Sequence, residues 1–303
     1  MVVWSLPTVL IIGVGDVMKT YCYSQGIERP FGFINIINSV ITMPLMYFCV
    51  FPLGMGIYGF VLTRMIYEIM NFVVFSFIFF KYADQDTIGK PEPEDLWGDF
   101  LTYFVSALKF FSTAYFEWFG FEINTIYVSL LGDTTALAAY VCWTNFSSIF
   151  YSSGVGIGNV MRTRVNFLLG MGKNTAARNF FFWFCKYNLC FWTIISLIIL
   201  LLRNYIASFY TKNQGVHDVL ASIFFVYFFI ILIDTTNYAI LSTMRSVGKI
   251  NTLLKINFGI YAPMVTILGG IGVFVLHTGV IGIVTTFCLS SATFCFCVTY
   301  YLY

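Results

Sequence analysis

Charge is what this chain has least of. Only 10% of its 303 residues are Asp, Glu, Lys or Arg, against roughly 25% in a soluble domain. The 16 basic and 14 acidic residues nearly cancel, so there is no basic face for nucleic acid and no strong field for an acidic substrate. Histidine is rarer still, at two. His217 and His277 fall at the outer ends of predicted helices, without metal-ligand spacing. A Ser/His/Asp or Cys/His arrangement is missing, as is a Walker-type loop. The chain is therefore not read as an enzyme, and no cofactor or metal is implied. Residues 1–22 lack the basic start and small-residue cleavage site of a signal peptide and read as a span already under way. The eight Cys lie mostly inside apolar runs, where they read as reduced, packed side chains rather than a disulfide framework.

What is abundant is apolar surface. Hydrophobic residues make up 59% of the chain and aromatic residues 20%, more than a soluble fold can hide, so lipid must solvate it. A spanning helix needs about 20 mostly apolar residues. Nine stretches qualify: 1–22, 31–51, 56–82, 98–130, 134–161, 178–203, 217–244, 252–276 and 279–303. The fold class is an all-α integral membrane protein of about nine transmembrane helices. The segment Ala83–Trp97, ADQDTIGKPEPEDLW, is the one long polar stretch. Its prolines and charges suit a stiff linker outside lipid, dividing the chain into 1–82, 83–97 and 98–303. Eleven Lys and Arg gather at one set of helix ends and only Arg203 and Lys212 at the other. That bias predicts the first set, and the linker, on the cytoplasmic side.

The chain also repeats itself. Asn38-x-x-Ile41-x-x-Pro44 recurs as Asn257-x-x-Ile260-x-x-Pro263, and Gly56-x-x-Gly59 as Gly279-x-x-Gly282. Asp16 and Asp234 precede the two prolines by nearly the same distance. Spans one to three thus resemble spans seven to nine. Repeated bundles with interrupted helices in matching places mark secondary transporters that rock two halves about a central site.

An ionisable residue inside the bilayer costs at least about 2.5–3.5 kcal/mol, so the carboxylates in the spans are the candidate site. Span four carries Glu117 and Glu122, about 140° apart around a helix of 3.6-residue period, and span seven carries Asp234. Desolvation raises the pKa of a carboxyl at membrane depth, which suits it to exchange a proton near neutral pH or to pair with a cationic substrate. Glu117 and Asp234 are expected to share one polar cavity, with Glu122 beside it. Asp16, Asn145 and Asn237 are secondary candidates. Arg64 and Glu68 stand one turn apart, as an internal ion pair would. Gly154-x-Gly156-x-Gly158 lies in an apolar span with no strand before it, so close helix packing is expected there rather than phosphate binding.

Four motifs give the chain a family resemblance. Glu117-Trp118-x-x-x-Glu122 resembles the acidic, aromatic motif in the seventh helix of the multidrug and toxic compound extrusion (MATE) transporters, eukaryotic type. Thr163-Arg164-Val165, Leu169-Gly170-x-Gly172 and Ala176-Ala177-Arg178 resemble the loop after the family's eighth helix. Asp234, eleven residues before Arg245, matches the acidic position of its tenth. Met43-Pro44-Leu45 and Leu53-Gly54-x-Gly56-x-x-Gly59 resemble its fifth and sixth. The resemblance implies two pseudo-symmetric six-helix lobes, of which 98–303 is the complete carboxyl-terminal one and 1–82 half of the other, the first three helices being absent. It implies export of organic cations or other toxic solutes in exchange for protons or sodium, through the carboxylates at Glu117, Glu122 and Asp234. A lipid-linked-sugar flippase of related architecture, or a truncated membrane scaffold without transport, are the alternatives.

Overall fold

The structure is a computed structural model that describes residues 2–27, 29–84 and 97–302, apart from the side chains of 2–5, 117 and 302. Most of the expected linker, residues 85–96, lies outside the described residues. The chain divides into two compact units, residues 1–96 and 97–303.

The first unit holds α1 (Val2–Ser24), α2 (Arg29–Val50) and α3 (Gly56–Tyr82). α3 packs on both others, around Cys22, Phe31, Phe75 and Ile78. A buried polar contact crosses from α2 to α3, where Asn38 Nδ2 donates to Asn71 Oδ1 at 2.6 Å. Arg64 and Glu68 form the expected pair at 2.7 Å. Just past α3, the Asp84 amide donates to Gln25 Oε1 at 3.0 Å, fixing the chain to the α1–α2 turn.

The second unit holds α4 (Phe100–Leu130), α5 (Thr134–Gly170), α6 (Asn174–Leu201), α7 (Arg203–Tyr210), α8 (Gln214–Ser246), α9 (Ile250–Phe274) and α10 (Gly279–Leu302). At its centre is α8, packed against α5, α6, α7 and α10. A helix apolar all round belongs in a core, and α8 buries the neighbouring Leu220, Ala221, Ile223 and Phe224, which point to different sides of it. Lipid is as apolar as leucine, so helix association in a membrane relies on close packing by small residues. Gly154 and Gly158 of α5 supply it: a Cβ at Gly154 would overlap the Tyr238 ring, and one at Gly158 would stand 2.6 Å from Ser242 Oγ. Gly156 faces open space.

Among the described residues the expected spans correspond in order to nine long helices, and six of these are long and apolar enough to cross a membrane by length and composition: α2, α3, α6, α8, α9 and α10. Polar residues dilute two of the others, with Lys109 and Glu122 in α4 and the Ser–Gly run 147–158 in α5. α5 also runs nine residues beyond its expected end at 161, to Gly170. Arg162 and Arg164 extend the helix instead of ending it, since long basic side chains reach water while their backbone stays helical. The short helix α7, which buries Ala207, was not expected.

The repeat has a backbone cause. Gly56 and Gly279 both take positive φ, +53° and +64°, a region that only glycine visits freely. Three residues on, a Cβ at Gly59 would meet the Cys49 carbonyl oxygen at 2.8 Å and one at Gly282 would overlap Thr278. Each copy therefore needs both glycines to turn sharply into its last helix.

Candidate functional site

Asp234 lies well inside α8, about 18 Å from its Ser246 end at 1.5 Å per residue. Across the bundle it meets α10. Ser291 Oγ donates to Asp234 Oδ1 at 2.5 Å. Asn237, one turn along α8, donates through Nδ2 to Ser291 Oγ at 3.0 Å and to the Ser291 carbonyl at 3.3 Å. The amide thus orients the hydroxyl, and the hydroxyl orients the carboxylate. Asn237 Oδ1 is buried without a hydrogen-bond partner among the described residues, leaving an acceptor beside the acid.

Two small cavities flank Asp234. One, of about 30 Å³, is lined by Trp143, Ser147, Phe150, Tyr151, Tyr227 and Thr235. The other, of about 20 Å³, is lined by Asn237, Leu241, Asn257, Tyr261, Ser291 and Phe294. Phe121, Asp234, Tyr238 and Phe287 border both. One water needs about 10–15 Å³ measured this way, so each space takes one or two. Asp234 is the only charged residue among the described linings.

The second cavity meets α9 where its hydrogen bonding is irregular. Residues Asn257–Tyr261 and Met264–Leu268 form π-helical turns on either side of Pro263. Proline has no N–H to give, and the wider turns accommodate the gap. Asn257 Nδ2 donates to the Thr113 carbonyl of α4 at 3.0 Å, and Tyr127 Oη to the Thr266 carbonyl at 2.9 Å. Side chains of α4 thus hold the interrupted helix from outside.

The candidate residues are placed unequally. Asp234 and Asn237 are joined through Ser291. Glu117 sits on α4 one turn before Phe121, and its side chain lies outside the described residues. Glu122, next after Phe121, is exposed and is not among the cavity residues. Asn145 is exposed on α5. Asp16 is exposed on α1, in the other unit. Sequence reasoning missed Ser291 and Tyr238. The second could have been found from its position four residues after Asp234, on the same helix face.

An α-helical bundle of this length and hydropathy defines an integral multi-pass membrane protein. The MatE family model matches residues 111–271, more than half of the chain, and the chain belongs to that family. It is 23% identical over 268 residues to Protein DETOXIFICATION 12 of Arabidopsis thaliana, covering 85% of this chain and 54% of that protein. The chain therefore spans about half the length of this curated relative. Among solved structures, the eukaryotic MATE transporter AtDTX14 superposes with a TM-score of 0.88 at 17% identity, over 99% of this chain and 67% of that one. A variant of the Vibrio cholerae MATE transporter VcmN gives 0.77 at 18%, over 99% and 68%. At such identities the likeness shows the fold.

Proposed function

We propose that this protein works as a secondary transporter exporting organic cations or other toxic solutes by antiport against protons or sodium, with Asp234 as the carboxylate that exchanges coupling ion and substrate. The observation that carries this reading is Asp234 set between two water-sized cavities deep in α8 and held in one orientation by Ser291 and Asn237. A carboxylate at membrane depth marks an ion or substrate path by default. Here it faces space large enough for hydrated protons or a small cation, with the spare Asn237 acceptor to help coordinate one. The aromatic rings around it suit the flat, delocalised surface of an organic cation. Glu117, one turn before the cavity residue Phe121, belongs to the same site in this reading, and Glu122 is its neighbour. Competition between coupling ion and substrate for these carboxylates supplies the coupling, and the two π-helical turns of α9 supply a segment able to bend. A flippase for lipid-linked sugars needs a cationic cavity for pyrophosphate, and an acidic, aromatic one argues for the antiporter.

The test is efflux of a fluorescent organic cation from proteoliposomes, under an imposed proton gradient and, separately, an imposed sodium gradient. Asp234→Asn is expected to reduce efflux to background in whichever gradient drives the wild type, at normal expression, and Glu117→Gln to do the same. Wild-type rates for both variants in both gradients would make these carboxylates structural.

A further inference from the structure

A further and larger cavity lies away from Asp234, at one end of the second unit. Its volume is about 270 Å³, against about 30 and 20 Å³ for the spaces beside the acid. The carboxyl ends of α5, α8 and α10 and the amino end of α6 surround it. Val165, Leu169, Phe181 and Val247 make apolar walls, and Arg178 and Lys249 bring cationic heads to the rim. Both cations are positioned: the Arg178 guanidinium lies 5.8 Å from the Phe182 ring centroid, and Lys249 Nζ donates to the Tyr301 carbonyl at 2.9 Å. The same helix ends and the turn between α5 and α6 add Arg162, Arg164, Lys173, Arg245 and Lys255, with no carboxylate between 162 and 178 or between 245 and 255.

We propose that this cavity binds an anionic phospholipid, its phosphate between Arg178 and Lys249 and the start of an acyl chain along the apolar walls. Basic pockets between transmembrane helices at the cytoplasmic face suit anionic head groups, and the Lys and Arg bias places this end towards that face. The same cations repel an organic cation, so the site is separate from the one at Asp234. A soluble anion would use the rim but not the walls. A lipid uses both, and it ties together the ends of four helices.

The experiment uses the delipidated protein in a neutral detergent, with binding read by native mass spectrometry and by thermal melting. Dioleoyl phosphatidylserine is expected to bind about tenfold more tightly than dioleoyl phosphatidylcholine. Arg178→Gln and Lys249→Gln should each weaken the serine lipid about fivefold, the size of one cation's contribution at a membrane surface, and weaken the choline lipid less, because its quaternary ammonium offsets the phosphate. Arg178→Lys should retain binding. Val247→Trp, which fills the wall and keeps the charges, should weaken both lipids, and Arg203→Gln at the opposite end neither. Each variant's melting temperature without lipid reports whether its fold is kept. Equal affinity for the two lipids, or indifference to the Arg178 and Lys249 substitutions, would overturn the proposal. So would protection by inorganic phosphate equal to that by phosphatidylserine, which would assign the rim to a soluble anion.

Discussion

Helices α1–α3 and α8–α10 carry one pattern twice, and the two copies spend their polar residues differently. The framework is held in common. Both copies enter their third helix through a pair of glycines, and both end their first with the same two hydrogen bonds. Ile27 and Gly26 donate to the Cys22 and Tyr23 carbonyls in one, and Lys249 and Gly248 to those of Met244 and Arg245 in the other. The acids diverge. Asp16 is exposed, whereas Asp234 stands between cavities. Nine residues after Gly59, at the place of Ser291 in α10, α3 carries Glu68, and Arg64 neutralises it within the helix. A carboxylate at membrane depth needs pairing or a use. One copy pairs its acid locally, and the other directs a hydroxyl and an amide at it.

The sharpest way to break this contrast is to move the acid of one copy into the other. Ser291→Glu would put a second carboxyl within hydrogen-bonding distance of Asp234, where two such groups share one proton instead of ionising independently. Cation efflux is expected to fall by about two orders of magnitude, the usual contribution of a positioned proton-transferring group. Ser291→Ala, which removes one charge-assisted hydrogen bond, should cost about tenfold. The reciprocal Glu68→Ser should leave efflux within about twofold. If Glu68→Ser is as damaging as Ser291→Glu, the two copies are not functionally distinct at this position.

The shared framework is tested next, by thermal unfolding in detergent. Gly59→Ala drives a methyl into the Cys49 backbone carbonyl, which cannot rotate away, and should destabilise by about 2–3 kcal/mol, typical of overpacking. Gly282→Ala drives one against the Thr278 Cβ, which no side-chain rotation moves, as well as against its hydroxyl, and it disturbs the 2.9 Å hydrogen bond from that hydroxyl to the Gly272 carbonyl. Both copies are thus expected to lose about 2–3 kcal/mol, with the α8–α10 copy at least as sensitive as the other. A Gly282→Ala variant as stable as wild type would mean that the Thr278 backbone yields where that of Cys49 does not.

The order of the long helices could be read from apolar runs because lipid imposes one rule on them all, that every backbone group be satisfied within its own helix. Boundaries were harder. Arg162 and Arg164 look like the end of α5, yet nothing there breaks the helix before Gly170. α7 is eight residues long, too short to show a period. At the site, Asp234 stood out as an ionisable residue in an apolar run, with Asn237 three residues on. Ser291 did not, because serines in membrane helices commonly bond their own backbone and its carboxylate partner is 57 residues away in sequence. The π-helical turns of α9 were legible only as Pro263, and Pro44 at the matching place in α2 leaves its helix regular.

The smallest expected effect separates the two repeated asparagines. Asn38 bonds another side chain, Asn71, and Asn257 bonds a backbone carbonyl, that of Thr113. Hydrogen bonds between membrane helices contribute about 0.6 kcal/mol on average, so Asn38→Leu and Asn257→Leu should each lower stability by about that amount. The two losses differ in how they can be repaired. Adding Asn71→Leu to Asn38→Leu removes both partners, leaves no stranded polar group, and should restore stability to within a few tenths of a kcal/mol of wild type. The Thr113 carbonyl cannot be deleted. Thr113→Ala added to Asn257→Leu keeps the carbonyl stranded and should restore nothing. Recovery of both double variants, or of neither, would show that the two asparagines are held alike and that the polar contrast between the copies begins and ends at the acids.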